Sequence, residues 1–172
     1  MAERTQLLLI GGRSGVGKTA VSHEVHARLI TADCRHCVID GDNLDLAHPA
    51  PWEHHLAERN LAAMWRNYHD VGYRRLVYVN TMSVQCIDVL VETIGDAPAT
   101  TAVLLTAQDD TIRSRLQARE IGGGLAVHLE RSAMAARRLE ATPPAAVRIS
   151  TDGRSVMAIA AEIVDLTGWL AA

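Results

Sequence analysis

Phenylalanine is absent from this 172-residue chain, and tryptophan and tyrosine supply three residues each. Leu, Val, Ile, Met and Ala must therefore fill most of any core. The chain is long enough for one domain with a full core, and 48% hydrophobic with 22% charged residues is a soluble, globular composition. Basic charge in excess is also missing. The net charge of −3 denies the chain a general attraction to nucleic acid or to an anionic membrane. No apolar run approaches the length of a membrane span. Met1 to Thr5 lead straight into an apolar stretch without the pattern of a signal peptide, so a cytoplasmic protein is expected. Cysteine is scarce. Cys34-Arg35-His36-Cys37 has C-x-x-C spacing, but no second pair completes a zinc site, and the pair leads into a strand rather than opening a helix. Reduced thiols are expected.

Lysine is nearly absent too. Lys18 is the only one among 17 Lys+Arg residues. It falls inside Gly12-Arg13-Ser14-Gly15-Val16-Gly17-Lys18-Thr19, which fits G-x-x-x-x-G-K-[ST], the phosphate-binding P-loop. A triphosphate brings several negative charges close together. The loop must aim backbone N–H groups at them, in conformations open mainly to glycine. Lys18 adds a cation for the β- and γ-phosphates, Thr19 offers a hydroxyl to Mg²⁺, and the helix that follows points its positive end at the anion. The context agrees. An apolar run at 6–10 reads as a buried strand, and Ala20, Val21, Val25 and Leu29 make a helical stripe over 18–30.

Further strands are expected at 36–39, 76–79, 101–105 and 146–149. Helices are expected at 53–70, from Ser83 as cap to Ile94, from Asp109 or Asp110 onward, at 127–141 and from Val156. Strands alternating with helices give an α/β fold with a parallel sheet and helices on both faces, as one domain over 1–172. Ligands then gather at the carboxyl ends of the strands. The P-loop, Asp40 to Asn43, Asn80 to Ser83 and Thr151-Asp152 all emerge there, which puts Asp152 among the expected nucleotide contacts.

Asp40 and Asp42 follow strand 2. One carboxylate can hold Mg²⁺ through water, while the other accepts the proton of an attacking hydroxyl. The alternative is a plain turn, since Asp-Gly and Asp-Asn are turn formers. Arg115 and Arg119 share a helix face at i, i+4. Beyond them Gly122-Gly123-Gly124 suggests a lid over about 120–131 that would keep water from the transferred group; a solvated basic helix end is the alternative. Trp52, in a Pro-rich loop, is either a packing plug or part of the acceptor pocket, which Trp65 and Tyr68 would share.

With these residues assembled, the whole chain resembles the small P-loop kinases of the nucleoside, shikimate and adenylylsulfate kinase group. Val38 to Leu44 is similar to the Asp-Gly-Asp-Asn stretch of adenylylsulfate kinases. Trp65-Arg66-Asn67-Tyr68, Tyr78 to Met82, Arg115-Leu116-Gln117-Ala118-Arg119 and Ile149-Ser150-Thr151-Asp152 resemble the tunicamycin-resistance ATP-binding proteins. The resemblance implies a five-stranded parallel sheet in the order 2-3-1-4-5. It makes Asp42 the acid nearest the acceptor hydroxyl, with Arg115 by the adenine, Arg119 by the phosphates and Arg131 adding to them. Strand 3 ends in Asn80, not in the Asp that motor-type P-loop ATPases use for Mg²⁺. No Asn-Lys-x-Asp of GTPases is present. Leu44-Asp45-Leu46 lacks the Arg that adenylylsulfate kinases place there. The implied activity is ATP- and Mg²⁺-dependent phosphorylation of a small molecule's hydroxyl, catalysed by Lys18, Asp42 and Arg119. A nucleoside-type antibiotic such as tunicamycin is the implied acceptor. The rivals are an adenylylsulfate or nucleoside kinase, and a nucleotide- or drug-binding protein without transfer activity.

Overall fold

The computed structural model describes residues 4–119, 124–141 and 145–170. Its order is β1 Gln6–Gly11, α1 Lys18–Thr31, β2 Cys37–Asp40, α2 Leu56–Asp70, β3 Arg75–Val79, α3 Ile87–Ile94, β4 Ala99–Thr106, α4 Asp109–Arg119, α5 Leu125–Glu140, β5 Val147–Ser150 and α6 Val156–Thr167. The five strands form one parallel sheet in the order β2-β3-β1-β4-β5, as the resemblance implied.

A parallel sheet covered on both faces needs apolar side chains on both sides of each central strand. β1 supplies them in alternation: Leu8 and Ile10 enter one core, Leu7 and Leu9 the other. Val77/Val79 and Leu76/Tyr78 of β3 split the same way, as do Val103/Leu105 and Ala102/Leu104 of β4. The first core is closed by Val21, Val25 and Leu29 of α1, Ile112 and Leu116 of α4, and Ile159, Ala160, Ile163 and Val164 of α6. The second is closed by Leu61 and Trp65 of α2, Leu90 and Ile94 of α3, and Leu139 of α5. Each fully buried leucine or valine contributes about 1.5–3 kcal/mol over an exposed one. Without phenylalanine, Trp169 fills the end of the first core.

Several local expectations differ from the structure. A 3₁₀ turn at Trp52–His54 precedes α2, and His55 breaks the helix path with φ of 50°. Ser83 does not cap α3: it opens a 3₁₀ turn, Ser83–Gln85, is buried, and its hydroxyl has no partner. With α3 starting only at Ile87, Leu90 and Ile94 take its buried positions and Ile87 and Val91 are half-buried. Residues 120–123 of the expected lid lie outside the described residues. From Leu125 its remainder is the start of α5, which is anchored to the P-loop by the Ser132 hydroxyl donating to the Ser14 carbonyl at 2.9 Å.

Candidate nucleotide and acceptor site

β1 ends at the centre of the sheet, between β3 and β4, and the loop from Gly12 leaves it there. Gly12 has φ of 143°, and a Cβ on it would stand 2.7 Å from the Leu105 carbonyl oxygen of β4. Only glycine lets the loop turn this close to the neighbouring strand. Gly17 sits at the N-cap of α1 in the left-handed region, with φ of 103°. No side chain caps α1, and its first turn carries no acid. The first N–H groups of a 14-residue helix thus meet the cavity without a side-chain acceptor, which is the arrangement that binds an anion.

Lys18 opens that helix and bends back over the loop, its Nζ donating to the Gly12 carbonyl at 2.8 Å. It is 9% exposed. Burial pushes its pKa down from the usual lysine value; Asp42 and Asp40 oppose this, and Arg119 adds to it. Lys18, Asp42, Asp40 and Arg119 therefore share one electrostatic neighbourhood. Lys18, Asp42 and Arg119, but not Asp40, line a cavity of about 710 Å³, together with the rest of residues 14–21, His23, Arg115, Ala118, Thr151, Arg154, Val156 and Ile159. That volume lies within the range of small-molecule sites, about 300–1,000 Å³.

The two acids differ in posture. Asp40 ends β2, and its Oδ1 accepts the Asp42 N–H at 3.0 Å, capping the 3₁₀ turn Gly41–Asn43. Gly41 is buried against the Tyr78 ring, which fixes the turn. Asp42 Oδ1 accepts from Asn80 Nδ2 at 2.8 Å and lies 3.4 Å from the Thr81 N–H. Burial, reinforced by Asp42, Glu58, Cys86 and Asp45, pushes the Tyr78 hydroxyl pKa well above its usual value. Tyr78 is therefore a neutral wall of the turn at physiological pH.

Arg115 donates to the Val16 carbonyl at 3.1 Å, to Thr151 Oγ1 at 2.9 Å and to the Thr151 carbonyl at 3.1 Å. Its guanidinium joins the P-loop to the β5–α6 turn and forms the cavity wall. Arg119, one helical turn on, is exposed at the rim. Arg13 turns away from the cavity. It pairs with Asp109 at 2.6 Å and donates to the Ala107 carbonyl at 2.8 Å, tying the loop to the start of α4. Asp152 does not line the cavity; its carboxylate accepts the Gln108 N–H at 3.0 Å. The Thr111 hydroxyl first, then Gln108 and Ser150, hold its carboxyl below the usual range.

On the acceptor side the structure brings Asp42 to the cavity but not the tryptophans. Trp65 is 3% exposed within the second core. Trp52 is 76% exposed, so it plugs nothing. Arg131 is exposed on α5. Thr19 lies on the cavity wall and Asp40 does not line it; both carry oxygen donors of the hard type that Mg²⁺ takes. Among the described residues no group of three or more His, Cys, Asp or Glu could hold a metal ion. Asn80, Thr151 and Arg154 were not singled out from sequence as site residues. Their positions just past β3 and β5, at the carboxyl edge of the sheet, were the available signal.

No family profile matches the chain, and no curated protein does. Solved structures do. The chain is similar to the tunicamycin resistance protein of Deinococcus radiodurans, at 19% identity and TM-score 0.62 over 96% of each chain. It is similar to a gluconokinase from Sinorhizobium meliloti, at 16% identity and TM-score 0.61 over 98% of this chain and 94% of that one. A third is the Mycobacterium tuberculosis APS kinase solved with AMPPNP and APS, at 23% identity and TM-score 0.61 over 95% and 97%. With its sheet order, its glycine-built loop and these neighbours, the chain has the fold of the P-loop kinases.

Proposed function

We propose that this protein transfers the γ-phosphoryl group of ATP to a hydroxyl of a small molecule. One observation carries the reading: an uncapped helix N-terminus with its lysine and a hydrogen-bonded carboxylate, Asp42, line the same cavity. The backbone N–H groups of residues 14–19 and Lys18 bind the β- and γ-phosphates. Arg115 walls the nucleotide side and Arg119 faces the charge that builds on the transferred group. Asp42 accepts the proton of the attacking hydroxyl. Thr19 directly, and Asp40 through water, would hold Mg²⁺, which when bound neutralises charge shared between the β- and γ-phosphates. The residues that follow α4, with Arg131, would act as the lid.

The acceptor class we favour is a nucleoside-type antibiotic such as tunicamycin. It is supported by the sequence resemblance and by the likeness to the Deinococcus radiodurans protein. A cytoplasmic location follows from the need for ATP; no described helix is long and apolar enough to cross a membrane. The test is calorimetric titration with ATP and Mg²⁺, followed by a radiolabelled γ-phosphate assay on a panel of nucleoside antibiotics, nucleosides, sugar acids and adenylylsulfate. Label in one acceptor's hydroxyl is the expected result. Tight ATP binding with no labelled product across the panel would make the protein a nucleotide binder instead.

A further inference from the structure

Asn80 stands where β3 ends, and every hydrogen-bonding group it owns is used. Its N–H donates to the Ile10 carbonyl of β1 at 3.2 Å, and its carbonyl accepts the Ser83 N–H at 3.3 Å. Its Oδ1 accepts the Met82 N–H at 2.9 Å, and its Nδ2 donates to Asp42 Oδ1 at 2.8 Å. The orientation of the amide is not arbitrary. A backbone N–H can only donate, so the Met82 N–H fixes the side-chain oxygen on its own side and leaves the NH₂ for Asp42. The same turn reaches the phosphate loop, because the Thr81 carbonyl accepts the Gly12 N–H at 3.1 Å. Asp42 Oδ2 makes no hydrogen bond among the described residues.

In motor-type P-loop enzymes an Asp near this place holds Mg²⁺. A carboxylate at position 80 would here meet the Asp42 carboxylate at hydrogen-bond distance, and two like charges that close disfavour each other. A neutral amide removes the repulsion and adds a donor. At position 80 the departure from the motor pattern puts a hydrogen-bond donor on the acid.

We propose that Asn80 is a positioning residue for transfer, clamping one oxygen of Asp42 so that the other is presented to the acceptor hydroxyl in register with the P-loop. The proposal rests on Asp42 being the base. A carboxylate free to rotate would spend most of its time out of reach of the hydroxyl, and a misplacement of about 1 Å costs roughly a hundredfold in rate.

The experiment is a double-mutant cycle on the full chain, with γ-phosphate transfer, KM for ATP and Tm read for each variant. Asn80→Ala should lower kcat by roughly ten- to a hundredfold and leave KM for ATP within about threefold, since no phosphate contact is touched. In an Asp42→Asn background the same substitution should cost nothing further, because the clamped carboxylate is already gone. The exchange Asp42→Asn with Asn80→Asp restores an amide–carboxylate hydrogen bond in the reverse sense. Its Tm should return toward the parent while transfer stays as low as in Asp42→Asn alone, because the hydrogen bond is back and the base is not. If Asn80→Ala fails to fold, Asn80→Ser carries the test: its hydroxyl can still accept the Met82 N–H but is too short to hold Asp42, so the same loss in kcat is expected. Asn80→Ala with kcat within twofold of the parent, beside an Asp42→Asn that has lost transfer, overturns the proposal. So do additive losses in the cycle, or an exchange variant that regains activity with its Tm. An Asp42→Asn variant with parental transfer is a different failure: it removes the base reading itself, and Asn80 becomes a turn residue.

Discussion

Gly41 has no unusual backbone conformation, so its glycine must be explained by space alone, and that makes Gly41→Ala a clean perturbation. A methyl group there would overlap Oη and Cζ of Tyr78 and stand 2.9 Å from Cε2. The ring cannot swing aside, because Tyr78 is 5% exposed and packed in the second core. Overpacking of this kind costs about 1–3 kcal/mol. For a chain of this size each kcal/mol lowers Tm by about 2–4 °C, so a fall of about 2–12 °C is expected by thermal melting. The next residue is Asp42, so phosphoryl transfer should fall as well. Tyr78→Leu removes all three atoms that the new methyl would meet. In that background the added cost of Gly41→Ala should shrink to less than about 0.5 kcal/mol, the level of independent sites. An equal Tm loss in both backgrounds, or none in the parent, would refute the steric account of this turn.

Lys18→Ala should abolish ATP binding in calorimetry while the circular dichroism spectrum and Tm stay near the parent, since the buried ammonium bonds only to loop carbonyls. Arg119→Ala should lower kcat by roughly ten- to a thousandfold with a smaller effect on ATP binding; the opposite split would make it a ground-state phosphate anchor. His36 gives a pH prediction. Its Nδ1–H donates to the Cys34 carbonyl, and its Nε2 faces His26 Nδ1 at 2.7 Å, so it must be neutral to accept there. Burial is the main cause lowering its pKa below the usual 6.5. The unfolded chain then binds more protons between that lowered value and 6.5, so stability rises with pH through this window and is lost on acidification. Tm should fall from pH 7.5 to pH 5.5 in the parent and fall less in His36→Gln, as read by melts in matched buffers.

Much of the architecture was legible because its signals are local. The continuous apolar runs of β1 and β3, the stripe on α1, and the glycines of the P-loop each specify their own segment. The order of the strands came instead from likeness to a family, since no periodicity in one strand says which strand lies beside it. Of the two acids after β2, Asp42 reaches the cavity and Asp40 does not line it. The tryptophans were misleading. An aromatic residue on a helix face reads the same whether the face meets a ligand or the sheet, and Trp65 meets the sheet. Arg13 shows a similar limit: it lies inside the phosphate-binding motif, yet its side chain pairs with Asp109, nearly a hundred residues on. Asn80 was visible as a departure from a motif and by its place at the carboxyl edge of the sheet, but not by its partner. Its hydrogen bond to Asp42 joins the ends of two strands, and only the fold brings those together.

In the proposed reaction Asp42 takes the proton of an acceptor hydroxyl while the P-loop holds ATP. The most direct measurement is single-turnover γ-phosphate transfer by Asp42→Asn at saturating ATP and Mg²⁺, with Asp40→Asn as the matched control and ATP affinity measured beside each. If Asp42 is the base, Asp42→Asn keeps ATP affinity within a few-fold of the parent and lowers transfer by roughly a hundredfold or more. Asp40→Asn should show a loss that added Mg²⁺ partly restores. Transfer by Asp42→Asn at the parental rate would contradict the base role, leaving Asp42 a turn residue.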